Sequence, residues 1–251
     1  MIRKFVVKAV AAGALALTAG TFSASVVQAQ ILDNSTLNFG GSVDLSDAGS
    51  AGVTLDFNPQ TILSTGPNTG SFAGILFGAT GSIFDIVAGS GAKGGIPLAS
   101  FGGYTFNITN ILPGTFMQVQ CGLPAAPGQT CTPPQLPGTT ISPFNLVNQS
   151  ATSSTASFQL SGIVTQTATG ATANYQGLFS AQFIGQNALN YQQVLAALST
   201  GAGTPGLNGV SFSATFTTGP STVIPEPSTY ALMAAGLAAV GFLARRRRST
   251  V

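Results

Sequence analysis

Charged side chains are scarce in this 251-residue chain, where only 6% of the residues are Asp, Glu, Lys or Arg, against roughly 25% in an ordinary soluble domain. Seven of the eight basic residues lie at the two ends of the chain, and no charged residue stands between Lys93 and Glu226. A nucleic-acid-binding protein needs clustered Lys and Arg to displace counterions from phosphates. We therefore expect no nucleic-acid partner.

Histidine is absent altogether, which removes the commonest general base and a common metal ligand. A serine hydrolase would lack its base, and two cysteines supply only half of a typical zinc shell. Two aspartates could still form a glycosidase pair, and two could help to bind calcium, but their spacing supports neither arrangement. The aspartates concerned are Asp44, Asp47, Asp56 and Asp85. We expect no enzyme activity, no catalytic residues, no cofactor and no metal site.

Residues 1–29 have the pattern of a secretory signal peptide. A basic start precedes an apolar stretch over residues 9–19, and small residues at Val27 and Ala29 suit a cleavage site. The basic residues are Arg3, Lys4 and Lys8. The alternative is an uncleaved membrane anchor, for which the apolar stretch is short. We expect cleavage between Ala29 and Gln30.

The C-terminal end has three parts in a fixed order. Pro225, Glu226 and Pro227 come first, an uncharged run of mostly small and apolar residues follows over 228–244, and a basic tail over 245–251 ends the chain. As a helix, the middle part would rise about 25 Å, which is adequate for one membrane span. The arginines behind it favour a cytoplasmic end. They are Arg245, Arg246, Arg247 and Arg248. The alternative is a plain tail anchor.

This tripartite end resembles the PEP-CTERM sorting signal of Gram-negative, exopolysaccharide-producing bacteria. In that family a dedicated membrane protease, exosortase, recognises a Pro-Glu-Pro triplet and removes the tail. The resemblance implies that residues 225–227 are the recognised triplet and residues 245–248 the stop-transfer signal. Ile224 stands where the family usually has Val.

The resemblance also implies partners and a location. The partners are an exosortase-type sorting protease and the membrane, which holds the chain either transiently or by a tail anchor. The expected route is export, an inner-membrane intermediate, and then the cell surface or the extracellular space.

The residues between the two ends predict a single all-β domain over residues 30–218. Apolar residues alternate with polar or small ones in six runs, as they do in half-buried strands. These runs are 37–45, 53–57, 104–108, 158–164, 175–183 and 210–216. Breaks rich in Gly, Pro and Asn separate them. We therefore expect a β-sandwich or a jelly-roll-like domain, with a linker over residues 219–227 behind it.

One segment departs from this alternation. Over residues 187–199 the apolar residues follow helical spacing, which predicts one short helix near the C-terminal end of the domain. Asn187 or Asn190 is a candidate N-cap, and Gly201 is a candidate for the end of the helix.

The strands on either side of this helix share a short pattern, Phe-Ser-Ala-x-Phe, at residues 179–183 and 212–216. One explanation is a duplicated unit. We favour the other, that both segments are patterned for the same sheet, because alternating small and aromatic residues recur easily in strands.

Cys121 and Cys131 predict a disulfide, because two cysteines in an exported chain are more often bridged than free. A bridge over so short a loop would constrain the unfolded chain by roughly 2–3 kcal/mol. The alternative is a pair of small buried apolar side chains.

The scarcity of charge in the domain favours a function based on non-covalent association over a function based on catalysis. Its surface lacks the charge repulsion that keeps proteins apart, and its strand edges lack the Lys residues that block pairing. We expect a structural protein of the cell surface or of the extracellular, biofilm-type matrix, associated with exopolysaccharide or with itself, with Ser and Thr as candidate glycan carriers. The alternative is a carbohydrate- or ice-binding adhesion module. For ice, a strand would present Thr165, Thr167 and Thr169 on one face.

Overall fold

The computed structural model describes residues 30–47, 53–134, 142–199 and 207–219. The predicted signal peptide, the linker from residue 220, the membrane span, the basic tail and Gly201 lie outside these residues. Within the described part of the chain, no helix is long and apolar enough to cross a membrane.

Twelve strands and one α-helix occupy the described residues. The strands are β1 (Thr36–Asp47), β2 (Val53–Asp56), β3 (Thr61–Ser64), β4 (Thr80–Ile83), β5 (Ile86–Ala88), β6 (Gly91–Phe101), β7 (Tyr104–Ile111), β8 (Thr130–Cys131), β9 (Asn145–Asn148), β10 (Ser154–Gln166), β11 (Thr172–Phe183) and β12 (Val210–Thr218). Helix α1 (Tyr191–Ser199) connects β11 to β12.

Eight of the strands close into an antiparallel barrel in the order β1-β3-β4-β6-β7-β10-β11-β12, because β12 pairs again with β1. The all-β class is confirmed, but the expectation of a sandwich or jelly roll is replaced by a closed barrel with outer strands. Alternation of apolar residues has the same period in both architectures. The barrel closes because β10 pairs with β7 on one side and with β11 on the other, and β11 pairs in turn with β12.

The outer strands extend the barrel at one end. The last part of β1 pairs with β2, which in turn pairs with β5. The first part of β10 pairs with β9, and β9 with β8. Closure pairs the barrel strands with one another over most of their lengths, although β4 pairs only with residues 99–101 of β6, so the first part of β6 has a strand partner on the β7 side alone. The outermost strands β5 and β8 are only three and two residues long. Few strand edges are therefore exposed in the described residues.

Phenylalanine rings fill the barrel. Phe39 is fully buried and lies against four other rings, with its centroid 4.9 Å from that of Phe216. Two glycines make room for this packing: a Cβ at Gly177 would lie 2.7 Å from the Phe216 ring, and one at Gly162 would lie 2.0 Å from the Asn107 carbonyl oxygen. The core is thus dense aromatic packing, with side chains inward at every second position.

The predicted helix is confirmed, although it begins at Tyr191 rather than near Asn187, which lies in a 3₁₀ turn. Asn190 is the N-cap: its Oδ1 accepts from the Gln193 backbone N at 2.9 Å, and the Asn190 backbone N donates to Gln193 Oε1 at 2.9 Å. This reciprocal pair is a capping box, and it sets the start of α1.

The two Phe-Ser-Ala-x-Phe segments lie side by side in one sheet, as we interpreted them. β11 and β12 are antiparallel neighbours, with Phe179 opposite Ala214 and Phe212 opposite Ala181. The rings of Phe179 and Phe212 stack with centroids 5.7 Å apart.

Because adjacent barrel strands are antiparallel, the loops fall into two groups at opposite ends. We call one the tail end: it contains residues 30–35, the β3–β4 loop 65–79, the turns at 102–103 and 167–171, and Gly219. The other is the helix end, which carries α1 and the segment of Cys121 and Cys131. The first and the last described residues therefore leave the barrel at the same end.

Candidate functional site

The point where the C-terminal tail leaves the barrel is built by hydrogen bonds between the two ends of the described chain. Thr218, the last residue of β12, is buried. Its Oγ1 donates to the Leu32 carbonyl at 2.7 Å and accepts from the Ser35 backbone N at 2.8 Å. The Thr218 backbone N donates to the Ser35 carbonyl, and its carbonyl accepts from the Asn34 backbone N, both at 3.0 Å. We call this group the exit clamp.

The exit clamp is anchored on both sides. The Ser35 side chain donates to the Leu32 carbonyl at 2.7 Å and accepts from the Ser71 backbone N at 2.9 Å, so the β3–β4 loop is tied in. On the other side, the Gly219 backbone N donates to the Asn174 carbonyl of β11 at 2.9 Å. The tail therefore starts from a fixed position beside residues 30–35.

The predicted disulfide between Cys121 and Cys131 is present at the helix end, with the two Cα atoms 5.1 Å apart. Its loop is fastened to α1: Tyr191 donates from its hydroxyl to the Gln120 carbonyl at 2.6 Å, and Gln192 donates to the Leu123 carbonyl at 2.7 Å. The bridge thus holds a surface loop against the helix.

Three of the aspartates gather on the small outer sheet of β1, β2 and β5. Asp44 and Asp56 are directly opposite each other on β1 and β2. Desolvation raises the pKa of Asp56 above its ordinary value, and the negative charges of Asp85 and Asp44 raise it further. The side chain of Asp47 lies outside the description.

Two of these carboxylates have structural partners. Asp44 accepts from the Gly209 backbone N. Asp85 accepts from the Phe57 backbone N at 2.8 Å and from Gln60 Nε2 at 3.2 Å. Over the described residues, no group of three or more His, Cys, Asp or Glu side chains could hold a metal ion. The carboxylates therefore fasten loops to the outer sheet.

The threonine array that the ice-binding alternative needs is not present on one strand. β10 ends at Gln166, so Thr167 and Thr169 lie in the turn to β11, and only Thr165 is on the strand. The alternating pattern stops here because residues 167–171 form a turn: the Gly170 backbone N donates to the Gln166 carbonyl at 2.8 Å, and the Ala171 backbone N donates to Thr169 Oγ1 at 3.2 Å.

The register builds a different hydroxyl row, which runs across six neighbouring strands instead of along one. Its members, each paired with the next, are Thr172, Thr165, Thr105, Ser100, Ser82 and Thr61. They are at least partly exposed, and neighbouring strands are about 4.8 Å apart. The row follows the curved wall of the barrel over six of its eight strands. A flat ice surface therefore cannot meet all of its hydroxyls at once.

A broad uncharged groove lies on the outside of β7, β10, β11 and β12, with a volume of about 480 Å³. Amide and hydroxyl side chains and one exposed leucine line it: Asn110, Gln159, Gln176, Leu178, Thr215 and Thr217. Its size is that of a small-molecule site, and its lining offers hydrogen bonds without charge. The sequence alone does not reveal this groove, because only the register brings these strands together.

The internal cavities are much smaller. One of about 30 Å³ and one of about 20 Å³ lie in the apolar core towards the helix end, and Leu45, Phe144 and Ala156 line both. Each cavity has space for about one or two water molecules. Tyr175 is buried towards the tail end of the barrel, opposite Thr218 in the register. Its hydroxyl has no hydrogen-bond partner among the described residues, and burial raises its pKa above the ordinary value.

Comparison with known families identifies the C-terminal end. A family profile for the PEP-CTERM protein-sorting motif matches residues 223–248, which include the Pro225-Glu226-Pro227 triplet and the arginines up to Arg248. The resemblance seen in the sequence is thereby confirmed. The motif supports an exported chain that transits the membrane with exosortase as its processing partner. No curated protein and no solved structure matches the chain.

Proposed function

We propose that this chain is a structural protein of the cell surface or the extracellular matrix, delivered there by exosortase-dependent sorting. The observation that carries the proposal is the sorting motif at residues 223–248, which follows the last barrel residue after a short linker. The exit clamp supports it, because it presents the linker at a fixed point of a closed, folded domain. A folded domain with a detachable tail suits delivery to the outside.

The outer surface supports a role based on contact. Hydroxyl and amide side chains predominate on the outer faces of β10, β11 and β12, and these strands carry no charged residue to repel a neighbour. Association would then use many neutral hydrogen bonds, either to exopolysaccharide or to other copies of the chain.

We further propose that the domain has no enzymatic activity. Asp44 and Asp85 hold loops in place, and the cavities inside the barrel have room for little more than water. Neither the aspartates nor these cavities would hold a substrate next to a general acid or a general base.

A second candidate function is glycan binding, and the outer groove favours it. Gln159, Gln176 and Asn110 offer paired donors and acceptors there, and Leu178 offers an apolar contact for a sugar face. Titration with defined polysaccharides distinguishes the two functions: saturable binding to one glycan supports a lectin, whereas concentration-dependent self-association without a glycan supports a matrix component.

The sorting step is tested by intact-mass spectrometry of the native protein from cells and from medium. We expect a product that lacks residues 245–248, with a further loss of residues 1–29. Glu226→Ala should leave the arginines on the chain, because it removes the charge of the recognised triplet. Ile224→Val is the matched control and should be processed like the parent chain.

The same spectra report glycan additions and the disulfide as mass differences. If the parent protein keeps Arg245 to Arg248 in every fraction, the sorting proposal is wrong and the chain is a tail-anchored protein.

A further inference from the structure

We propose that the tail end of the barrel is a membrane-contacting surface, and that Leu32, Leu76 and Phe77 enter the lipid interface while the tail is still attached. The proposal rests on the proposed function, since it needs the sorting tail in the membrane. It adds a contact site and an orientation that the sorting signal does not define.

The orientation follows from where the chain leaves the barrel. Thr218 and Gly219 are clamped beside residues 32–35, so the N-terminal segment and the C-terminal tail both depart from the tail end. Both departing segments contain the apolar stretches of the sequence, at residues 9–19 and 228–244. A bilayer that holds either stretch therefore faces the tail end.

The tether is short. Residues 220–227 separate Gly219 from the apolar stretch, and fully extended they span about 30 Å. Pro220, Pro225 and Pro227 lie within or next to this segment and restrict it further. A short tether keeps the tail end at an effective concentration in the millimolar range at the bilayer, so even a weak contact is populated.

The tail end carries a fixed apolar tip. Phe77 is 81% exposed and Leu76 is 73% exposed, although both are large apolar residues in an ordered turn. The Ala79 backbone N donates to the Leu76 carbonyl at 3.0 Å, and the Gly78 backbone N donates to the Ser64 carbonyl at 2.9 Å. Beneath them, Ile75 is buried. The turn is thus held by its own hydrogen bonds while its side chains face outward.

Leu32 adds a third apolar side chain, 58% exposed, next to the exit clamp. The Leu32 backbone N donates to Ser71 Oγ at 2.8 Å, so this residue is tied to the same β3–β4 loop as the tip. Among the described residues of the tail end, Asp33 is the one charged residue, so the expected contact is apolar and independent of lipid charge.

A bilayer fits this surface better than a second copy of the chain does. Specific protein interfaces bury at least about 1,000 Å², which three separate apolar side chains do not provide. A lipid interface needs no matching shape and accepts single apolar side chains. The helix end also exposes apolar residues, including Val119 at 74%, but it lies at the far end of the barrel from the tether.

The test uses the absence of tryptophan, because one introduced tryptophan is then the sole indole in the chain. The full chain with Phe77→Trp is reconstituted through its tail into phosphatidylcholine vesicles, with and without bromine on the acyl chains. The matched control is Val119→Trp, a site of similar exposure at the helix end. We expect bromolipid to quench Phe77→Trp at least twofold and to shift its emission to the blue, with Val119→Trp unchanged.

Three results would overturn the proposal. They are no quenching of Phe77→Trp, equal quenching at both sites, and failure of the full chain to float with the vesicles. A failure of the sorting proposal is distinguishable, because it appears as an unprocessed tail in the intact-mass measurement while quenching of Phe77→Trp persists.

Discussion

Substituting Thr218 by Val tests whether the exit clamp stabilises the domain. Valine has nearly the same shape as threonine, so the change removes the hydroxyl and leaves the packing of this buried position in place. The backbone N of Ser35 then loses its partner at 2.8 Å in a fully buried site. An orphaned buried donor costs about 1–3 kcal/mol.

The second lost bond costs less. The Leu32 carbonyl loses the Thr218 hydroxyl but keeps the Ser35 hydroxyl at 2.7 Å, so only an ordinary net contribution of about 0.5–1.5 kcal/mol disappears. The buried methyl group of valine offsets part of the total. We therefore expect Thr218→Val to lower the free energy of unfolding by about 2–3 kcal/mol, which for a domain of this size lowers Tm by about 4–12 °C.

Thermal and urea unfolding of the full-length protein in detergent, followed by far-ultraviolet circular dichroism, measures this loss. Thr215→Val is the control on the same strand. Its hydroxyl donates to Asn38 Oδ1 at 2.9 Å on the exposed outer face, where water replaces the bond, and we expect a change within about 0.5 kcal/mol. If the Tm values of Thr218→Val and Thr215→Val differ by less than about 1 °C, which is on the order of the measurement error, the exit clamp does not stabilise the domain as argued.

Two further substitutions probe charge and packing. Because the pKa of Asp56 is raised, the stability contributed by its protonation is fully present below the ordinary pKa of Asp and is lost as pH rises through the raised value. Asp56→Asn should therefore stabilise the domain by a few tenths of a kcal/mol at pH 7, since the site is exposed, and not at pH 3. Urea unfolding at both pH values measures this difference, and a gain of the same size at pH 3 would contradict the electrostatic cause. Gly162→Ala should lower the free energy of unfolding by about 1–3 kcal/mol, because its Cβ would lie 2.0 Å from the Asn107 carbonyl oxygen. Gly74→Ala is the control, because a Cβ at Gly74 meets nothing within 4 Å. Equal Tm values for Gly162→Ala and Gly74→Ala would refute the close approach.

Long alternating runs were the part of the fold that could be predicted from the sequence. All six predicted runs contain strands, because a half-buried strand alternates apolar with polar residues. Five of these strands have eight or more residues, and the four residues of β2 alternate together with the following Phe57. The helix was equally clear, and its cap at Asn190 was among the two candidates. The disulfide followed from the expected oxidising location of an exported chain.

The strands that were missed lack that pattern for physical reasons. β3, β4 and β9 have four residues each, and none of them alternates apolar with polar residues as β2 does. β3 and β9 each hold two adjacent apolar residues, and β4 holds a single one. β6 contains glycines at 91, 94 and 95 with positive φ, and its pairing with β7 shifts register twice. Such bulges break the alternation between the two faces, so a strand of eleven residues left no periodic signal.

The candidate sites depended on register and closure more than on residue type. Ser35 and Thr218 are 183 positions apart, and nothing in either local sequence marks them as partners. The hydroxyl row likewise joins one residue from each of six strands. Conversely, the sorting tail was readable because its signal is contiguous and its three parts occur in order.

Closure of the barrel changes what the shortage of charge means. A nearly uncharged β protein with open edges would pair through its backbone, because neither charge nor Lys gatekeepers oppose that pairing. Here the eight barrel strands pair with one another over most of their lengths, and among the described residues the outermost strands, β5 and β8, have three and two residues. Association through strand edges is thereby limited, so we expect contacts to use side chains on the outer wall, where neutral hydroxyl and amide groups make individually weak contacts. Such a surface holds a partner through many simultaneous hydrogen bonds, which a repetitive polysaccharide or an array of identical chains can supply.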